Sequence, residues 1–80
     1  MPKVYSRVLS DAGTELGKAL KKYPKHHSPH ESYAVILEEV RELEREVFKR
    51  QKKRSLQKMR KEACQIAAMA LRFMMDVCDK

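Results

Sequence analysis

The segment from Glu62 to Cys78, EACQIAAMALRFMMDVC, is apolar on almost every side of a helix. After Glu62 its polar residues are Gln65, Arg72 and Asp76, which together with Met69 follow steps of three and four along one narrow line. A helix of this kind is buried on most sides. Because two further helices of an 80-residue chain cannot cover it fully, we expect a partner subunit to complete the core.

The rest of the chain predicts two more helices in a single domain. Residues 4–22 carry apolar side chains at steps of three and four, which is the pattern of an amphipathic helix. A second helix starts at Ser28, because Pro29 fits its first position and Glu31 completes a capping box. The predicted helices cover 4–22, 29–52 and 57–78. We expect an all-α chain with a central antiparallel hairpin, completed into four-helix-bundle-like packing in a homodimer or homotetramer.

Charge is unevenly distributed in this chain of net charge +7. Residues 49–61, KRQKKRSLQKMRK, contain eight of the 18 Lys and Arg residues and no acid. Such a run is typical of a solvated helix end and loop. Binding of phosphates, on a nucleotide or on nucleic acid, is the alternative.

The cysteines and the apolar runs indicate the cellular setting. Cys64 and Cys78 lie roughly 21 Å apart along one predicted helix, too far for a disulfide. They are interpreted as reduced packing residues of a cytoplasmic protein. The longest apolar run, IAAMAL at 66–71, is far shorter than a membrane span, and MPKVYSRVLSDAG has no apolar signal core.

Acidic residues lie inside the most hydrophobic segments. Glu39 and Glu42 fall on adjacent turns of one side of the second helix. In an antiparallel hairpin they face Glu62 and Gln65 on the third. Converging carboxylates repel one another, and a hard divalent cation such as Mg²⁺ removes that cost. A metal site is therefore one interpretation of these acids, and an ordinary solvated helix face is the other.

The acids also form a recognisable motif. The sequence E38-E39-V40-R41-E42, followed after a 19-residue spacer by E62-A63-C64-Q65, resembles the EExxE and ExxD signature of the MazG-like all-α nucleoside-triphosphate pyrophosphohydrolases. The surrounding segments HHSPHESYAVILEEVREL and EACQIAAMALRFMMDV are similar to the small, single-domain members of bacteria and phages, and the resemblance covers roughly residues 23–78. The chain departs from the signature at its fourth position, where Gln65 replaces Asp.

The resemblance implies a helical oligomer that hydrolyses a nucleoside triphosphate to the monophosphate and pyrophosphate with Mg²⁺, or with Mn²⁺ as an alternative. By that resemblance Glu39, Glu42 and Glu62 are metal ligands, and Gln65 occupies the fourth ligand position. Glu38 is then a further ligand or orients the attacking water. Because an amide oxygen carries no charge, Gln65 is expected to weaken metal binding and activity.

Other residues are candidates for contacts with the substrate. Lys58, Arg60 and Lys61 precede Glu62 and could meet phosphates, or they form a solvated surface. Arg72 either contacts substrate or pairs with Asp76 at i+4. The remaining candidates are His30 in the loop HHSPH and the aromatic Tyr33, for which a core position is the alternative. Zinc binding by His26, His27 and His30 would need a fourth ligand and a fixed loop.

Three functions remain open from the sequence. The first is the MazG-like enzyme. The second is a helical binding or assembly protein that kept the fold and lost a metal ligand at Gln65. The third, weaker one is a small basic nucleic-acid-binding protein that uses residues 49–61.

Overall fold

The computed structural model describes residues 2–80, and within them the all-α prediction is confirmed: there are three α-helices and no strand. Helix α1 spans Pro2–Lys22, α2 spans Pro29–Val47 and α3 spans Leu56–Phe73. A 3₁₀ turn, Gln51–Lys53, precedes α3, and a π-helical turn, Met74–Cys78, follows it. No helix in the described part of the chain is long and apolar enough to cross a membrane.

Side-chain caps fix the starts of α2 and α3. Ser28 accepts a hydrogen bond from the Glu31 backbone N–H at 3.1 Å, as the capping box predicts. The Glu31 carboxylate accepts from the His27 N–H at 2.6 Å, one residue before the usual partner. Ser55 caps α3 in the same way through Lys58 N–H at 3.1 Å.

Helix α2 ends at Val47 rather than near residue 52. Beyond Val47 the apolar stripe is not continued, since Phe48 is 80% exposed and the following residues are polar. If the helix continued, the five cations between Lys49 and Arg54 would also repel one another at spacings of three and four residues. The 3₁₀ turn takes the place of the predicted last helical turn.

Both α1 and α2 pack on α3. Helices α1 and α3 run in the same direction, since Asp11 contacts Arg60 and, further along both helices, Ala19 contacts Arg72. Helices α2 and α3 run in opposite directions. His26, just before α2, contacts Asp76, just after α3, whereas Glu39 further along α2 lies near Glu62 early in α3. Helices α1 and α2 scarcely touch each other, so α3 forms the floor of a cleft between them.

The interior of the chain is small and unusually polar. Among the described side chains, the buried apolar residues are the alanines Ala12, Ala19 and Ala68, and the largest side chain that is fully buried is Ser32. The polar line of α3 faces inward, where Arg72 and Asp76 are 2% and 8% exposed. Apolar residues on other sides of α3 are exposed. The composition of α3 predicts burial on most sides, and the single chain does not provide it.

Candidate metal centre

Three of the four predicted metal ligands lie together. Glu39 and Glu42 of α2 and Glu62 of α3 each offer one carboxylate oxygen, and these oxygens all lie within 4.8 Å of one another. The i, i+3 spacing puts the first two on one face of α2, and the packing of α2 on α3 brings Glu62 to that face. All three side chains are partly buried.

The environment of Glu39 favours its neutral form. Burial, followed by the negative charges of Glu42 and Glu62, raises the pKa of Glu39 from 4.5 to about 7. Its Oε2 atom is buried and has no hydrogen-bond partner. A carboxylate oxygen in this condition is costly unless a cation or proton compensates it.

The environment of Glu62 also favours its neutral form. Burial raises the pKa of Glu62, and its hydrogen bond and charge interaction with Glu42 raise it further, while Lys61 partly offsets the increase. We refer to Glu39, Glu42 and Glu62 as the carboxylate cluster. Its oxygens are the hard ligands that Mg²⁺ and Mn²⁺ prefer, so the donor set fits such a cation.

Gln65, the fourth motif position, contacts α1. Its side-chain amide Nε2 donates a long hydrogen bond of 3.5 Å to Glu15 Oε1 on α1. The fourth motif position is therefore turned toward α1, and Glu15 becomes a neighbour of the site. Sequence reasoning missed Glu15, because its relation to Gln65 depends on how α1 packs against α3.

A cleft of about 690 Å³ lies beside the carboxylate cluster. Helix α2 contributes Glu31, Val35, Glu38 and Glu39 to its wall, at the spacing of one helix face. Glu38 is exposed in this wall and is not one of the clustered carboxylates. Gln65, Met69 and Arg72 form the floor.

Two predicted substrate contacts on α2 lie outside the cleft. His30 and Tyr33 do not line it, and Tyr33 is 60% exposed. The reason is helical phase, since Tyr33 is two residues from both Glu31 and Val35 and therefore points to the opposite side of α2. Tyr33 is also not a core residue of the single chain.

The predicted basic contacts on α3 lie on another surface. Arg60 and Lys61 line a smaller cleft of about 380 Å³ between α1 and the start of α3, and Lys58 lines neither cleft. Arg60 is paired with Asp11 at 2.7 Å. These three residues consequently do not line the larger cleft, to which Glu39 is the one member of the carboxylate cluster that contributes.

Arg72 has a structural role. Its Nε donates to Asp76 at 2.9 Å, which is the i, i+4 pair that the sequence suggested. Its Nη1 donates to the backbone oxygen of Ala19 at 3.2 Å, and its Nη2 donates to those of Tyr23 and Pro24 at 3.0 and 2.7 Å. Arg72 therefore fixes the end of α1, and its nitrogens are already engaged by the protein, which is a correction to its prediction as a substrate contact.

Asp76 and His26 continue this buried network. Burial raises the pKa of Asp76, but hydrogen bonds from His26 N–H and Arg72, with the Arg72 charge, outweigh it and hold the pKa below its ordinary value. His26 Nδ1 lies 2.8 Å from Ser32 Oγ. Among the described residues, the three histidines belong to no group of three metal-ligating side chains, so the zinc alternative finds no support.

The cysteines are free, and neither lies in the main cleft. Burial, and next the charge of Glu15, raises the pKa of the Cys64 thiol. A thiol in that setting is a poor nucleophile at neutral pH. This agrees with the interpretation of Cys64 as a packing residue.

The cleft also contains cations that sequence reasoning missed. Lys18 and Lys22 of α1 and Lys25 of the following connector line it. A signal existed, since Lys18 and Lys22 are spaced i, i+4 beside the apolar stripe of α1. Their relation to the acids of α2 required the tertiary structure.

No family model, no curated protein and no solved structure matches this chain.

Proposed function

We propose that this protein is a Mg²⁺-dependent nucleoside-triphosphate pyrophosphohydrolase that releases pyrophosphate and a nucleoside monophosphate. The observation that carries the proposal is the convergence of Glu39, Glu42 and Glu62 within 4.8 Å at the edge of a cleft. The resemblance of the EExxE and ExxQ segments to the MazG-like signature supports the choice of reaction.

The carboxylate cluster would hold the cation. The buried Glu39 Oε2 without a partner and the raised pKa values of Glu39 and Glu62 are what a cation would relieve. When bound, Mg²⁺ polarises phosphoryl oxygens and lowers the pKa of a coordinated water. Mn²⁺ is an alternative with the same ligand preference.

The other acids and amides of the cleft have separate roles. Glu38 is exposed in the wall beside Glu39, where its carboxylate accepts a hydrogen bond from the attacking water and receives its proton. Gln65 keeps a neutral amide on the floor and donates to Glu15 rather than adding a fourth negative charge. The site is therefore expected to bind its cation more weakly than a four-carboxylate site.

We further propose that α2 and α3 form an antiparallel hairpin that pairs with a second copy in four-helix packing. Among the described side chains, the apolar residues that are buried are all alanines, while Leu71 of α3 and Met74 and Met75 of the π-helical turn remain 36–52% exposed. Val40 and Val47 of α2 are exposed in the same way. A second copy would supply the apolar core that the chain lacks.

A helical binding or assembly protein without catalysis is the second candidate. The hydrogen bond between Gln65 and Glu15 favours it, because it gives the amide a structural role in the contact between α1 and α3. A nucleic-acid-binding role for residues 49–61 is a third candidate. A steep dependence of nucleic-acid binding on salt concentration would identify it.

The direct test is pyrophosphate release from a panel of ribo- and deoxyribonucleoside triphosphates with Mg²⁺ or Mn²⁺. Glu39→Gln removes one charge of the carboxylate cluster, and Glu44→Gln is its matched control because Glu44 is exposed on α2 away from the cleft. The proposal predicts release by wild type and Glu44→Gln and at least a hundredfold loss in Glu39→Gln. If the wild type releases no pyrophosphate from any nucleotide, the binding or assembly protein is favoured.

A further inference from the structure

We propose that Lys18, Lys22 and Lys25 bind the linear triphosphate group of the substrate, opposite the carboxylate cluster. The inference rests on the proposed function for the identity of the substrate. It replaces Lys58, Arg60 and Lys61, the basic residues that the sequence places next to Glu62, with a set that lies in the cleft.

The first support is the division of charge across the cleft. Helix α1 and its connector provide the three lysines and one acid, Glu15, on one side, and α2 provides acids that include Glu38 and Glu39 on the other. The two walls are separate because α1 and α2 contact α3 and scarcely contact each other. A volume of about 690 Å³ is in the range of small-molecule sites.

The second support is that the three lysines have no acidic partner. Among the described residues, no carboxylate oxygen lies within 4.0 Å of Lys18, Lys22 or Lys25, so their charges are free to meet an anion. Lys22 Nζ lies 5.4 Å from the centre of the Tyr23 ring, a cation–π contact that adds no negative charge. A cleft that contains unpaired acids and unpaired lysines attracts a cation together with a polyanion.

The third support is the fixed position of Lys25. Its preceding residue, Pro24, accepts a 2.7 Å hydrogen bond from Arg72 through its carbonyl. Its following residue, His26, donates its N–H to Asp76 at 3.0 Å. The buried pair of Arg72 and Asp76 thus anchors the backbone on both sides of Lys25 and aligns the connector with the cleft, so both are positioning residues.

Arg60 and Lys61 offer a contrast within the same molecule. They line the smaller cleft, which Lys18 and Glu15 border as well as the larger one, and Arg60 is already neutralised by Asp11. Lys58 is exposed and lines neither cleft. Lys58 therefore matches the cleft lysines in charge and exposure without lining either cleft.

The experiment is calorimetric titration of wild-type protein and variants with inorganic tripolyphosphate, and separately with a nucleoside triphosphate analogue that has a non-hydrolysable α–β bridge, both with Mn²⁺. The variants are Lys18→Gln, Lys22→Gln and Lys25→Gln, with Lys58→Gln and Lys52→Gln as controls, because Lys58 and Lys52 are exposed and line neither cleft. Losing a charged hydrogen bond predicts about tenfold weaker binding of both probes for each cleft variant and less than about twofold for the controls. All five lysines are exposed, so circular dichroism should show unchanged folding.

The outcomes separate this inference from the proposed function. Weaker binding of the probes by the cleft variants alone supports the triphosphate site. If the wild type also hydrolyses no nucleotide, that result rules out the enzyme and leaves the triphosphate site standing. Hydrolysis by the wild type with unchanged KM in the cleft variants overturns the triphosphate site and leaves the enzyme. Equal weakening in the controls, or no binding of either probe by the wild type, also overturns it.

Discussion

Gln65 on α3 donates its side-chain amide to the carboxylate of Glu15 on α1, at 3.5 Å. This contact lies at the position where the MazG-like signature has a second acid. An acid there would meet Glu15 as well as the carboxylate cluster. The neutral amide of Gln65 can donate to Glu15, a residue outside the signature, where an aspartate would be repelled by it.

The Gln65–Glu15 contact makes a prediction about restoring the signature. Gln65→Asp should destabilise the metal-free protein by about 1 kcal/mol or more, because it places a second carboxylate near Glu15. The double variant Glu15→Gln with Gln65→Asp should recover that loss. Urea unfolding without divalent cations measures both, and equal stability of Gln65→Asp and wild type would show that Glu15 does not restrict this position.

The buried ion pair makes a second prediction. Asp76→Asn should lower the free energy of unfolding by about 3 kcal/mol or more, because it leaves Arg72 buried without its counter-charge. The matched control is Asp11→Asn, which breaks the pair with Arg60, whose side chains are 42% and 50% exposed. That change should cost less than about 1 kcal/mol. Similar losses in chemical denaturation would contradict the structural role of Arg72.

Stability should also depend on pH through Asp76. Its folded pKa lies below the unfolded value, so the unfolded chain binds this proton more tightly and the contribution is present above the ordinary value of 3.8. It is lost as pH falls further, through the folded pKa. Unfolding free energies measured between pH 5 and pH 2 should fall in the wild type, and the slope should be smaller in Asp76→Asn. An identical slope would assign the acid sensitivity to other groups.

The exposed apolar side of α3 makes a fourth prediction. Met75→Lys should dissociate the proposed oligomer, because it places a charge on a face that is 44% exposed in the single chain. Leu56→Lys is a control, since Leu56 is 82% exposed at the start of α3. Sedimentation velocity should show a smaller species for Met75→Lys only. A wild-type protein that sediments as a stable monomer would contradict the second-copy proposal.

Local signals were enough to predict several features. The Ser28, Pro29 and Glu31 pattern predicts the start of α2, because capping depends on neighbours within one turn. The i, i+3 spacing of Glu39 and Glu42 likewise predicts their common face, and the motif predicts their approach to Glu62.

Features that depend on tertiary packing were not predicted. The end of α2 at Val47 reflects both charge repulsion and the lack of an apolar surface to cover. The spacing of Lys18 and Lys22 places them on one side of α1, but their position across a cleft from acids of α2 depends on how both helices pack on α3. The π-helical turn at Met74–Cys78 has no sequence signal that we identify.

The most direct test of the central claim is a titration of Mn²⁺ into the protein, with free Mn²⁺ measured by electron paramagnetic resonance. The carboxylate cluster predicts one site per chain that is preserved in Glu44→Gln and weakened at least tenfold in Glu39→Gln and in Glu62→Gln. Equal Mn²⁺ affinity in all four proteins, or no binding by the wild type, would contradict the assignment of Glu39, Glu42 and Glu62 as metal ligands.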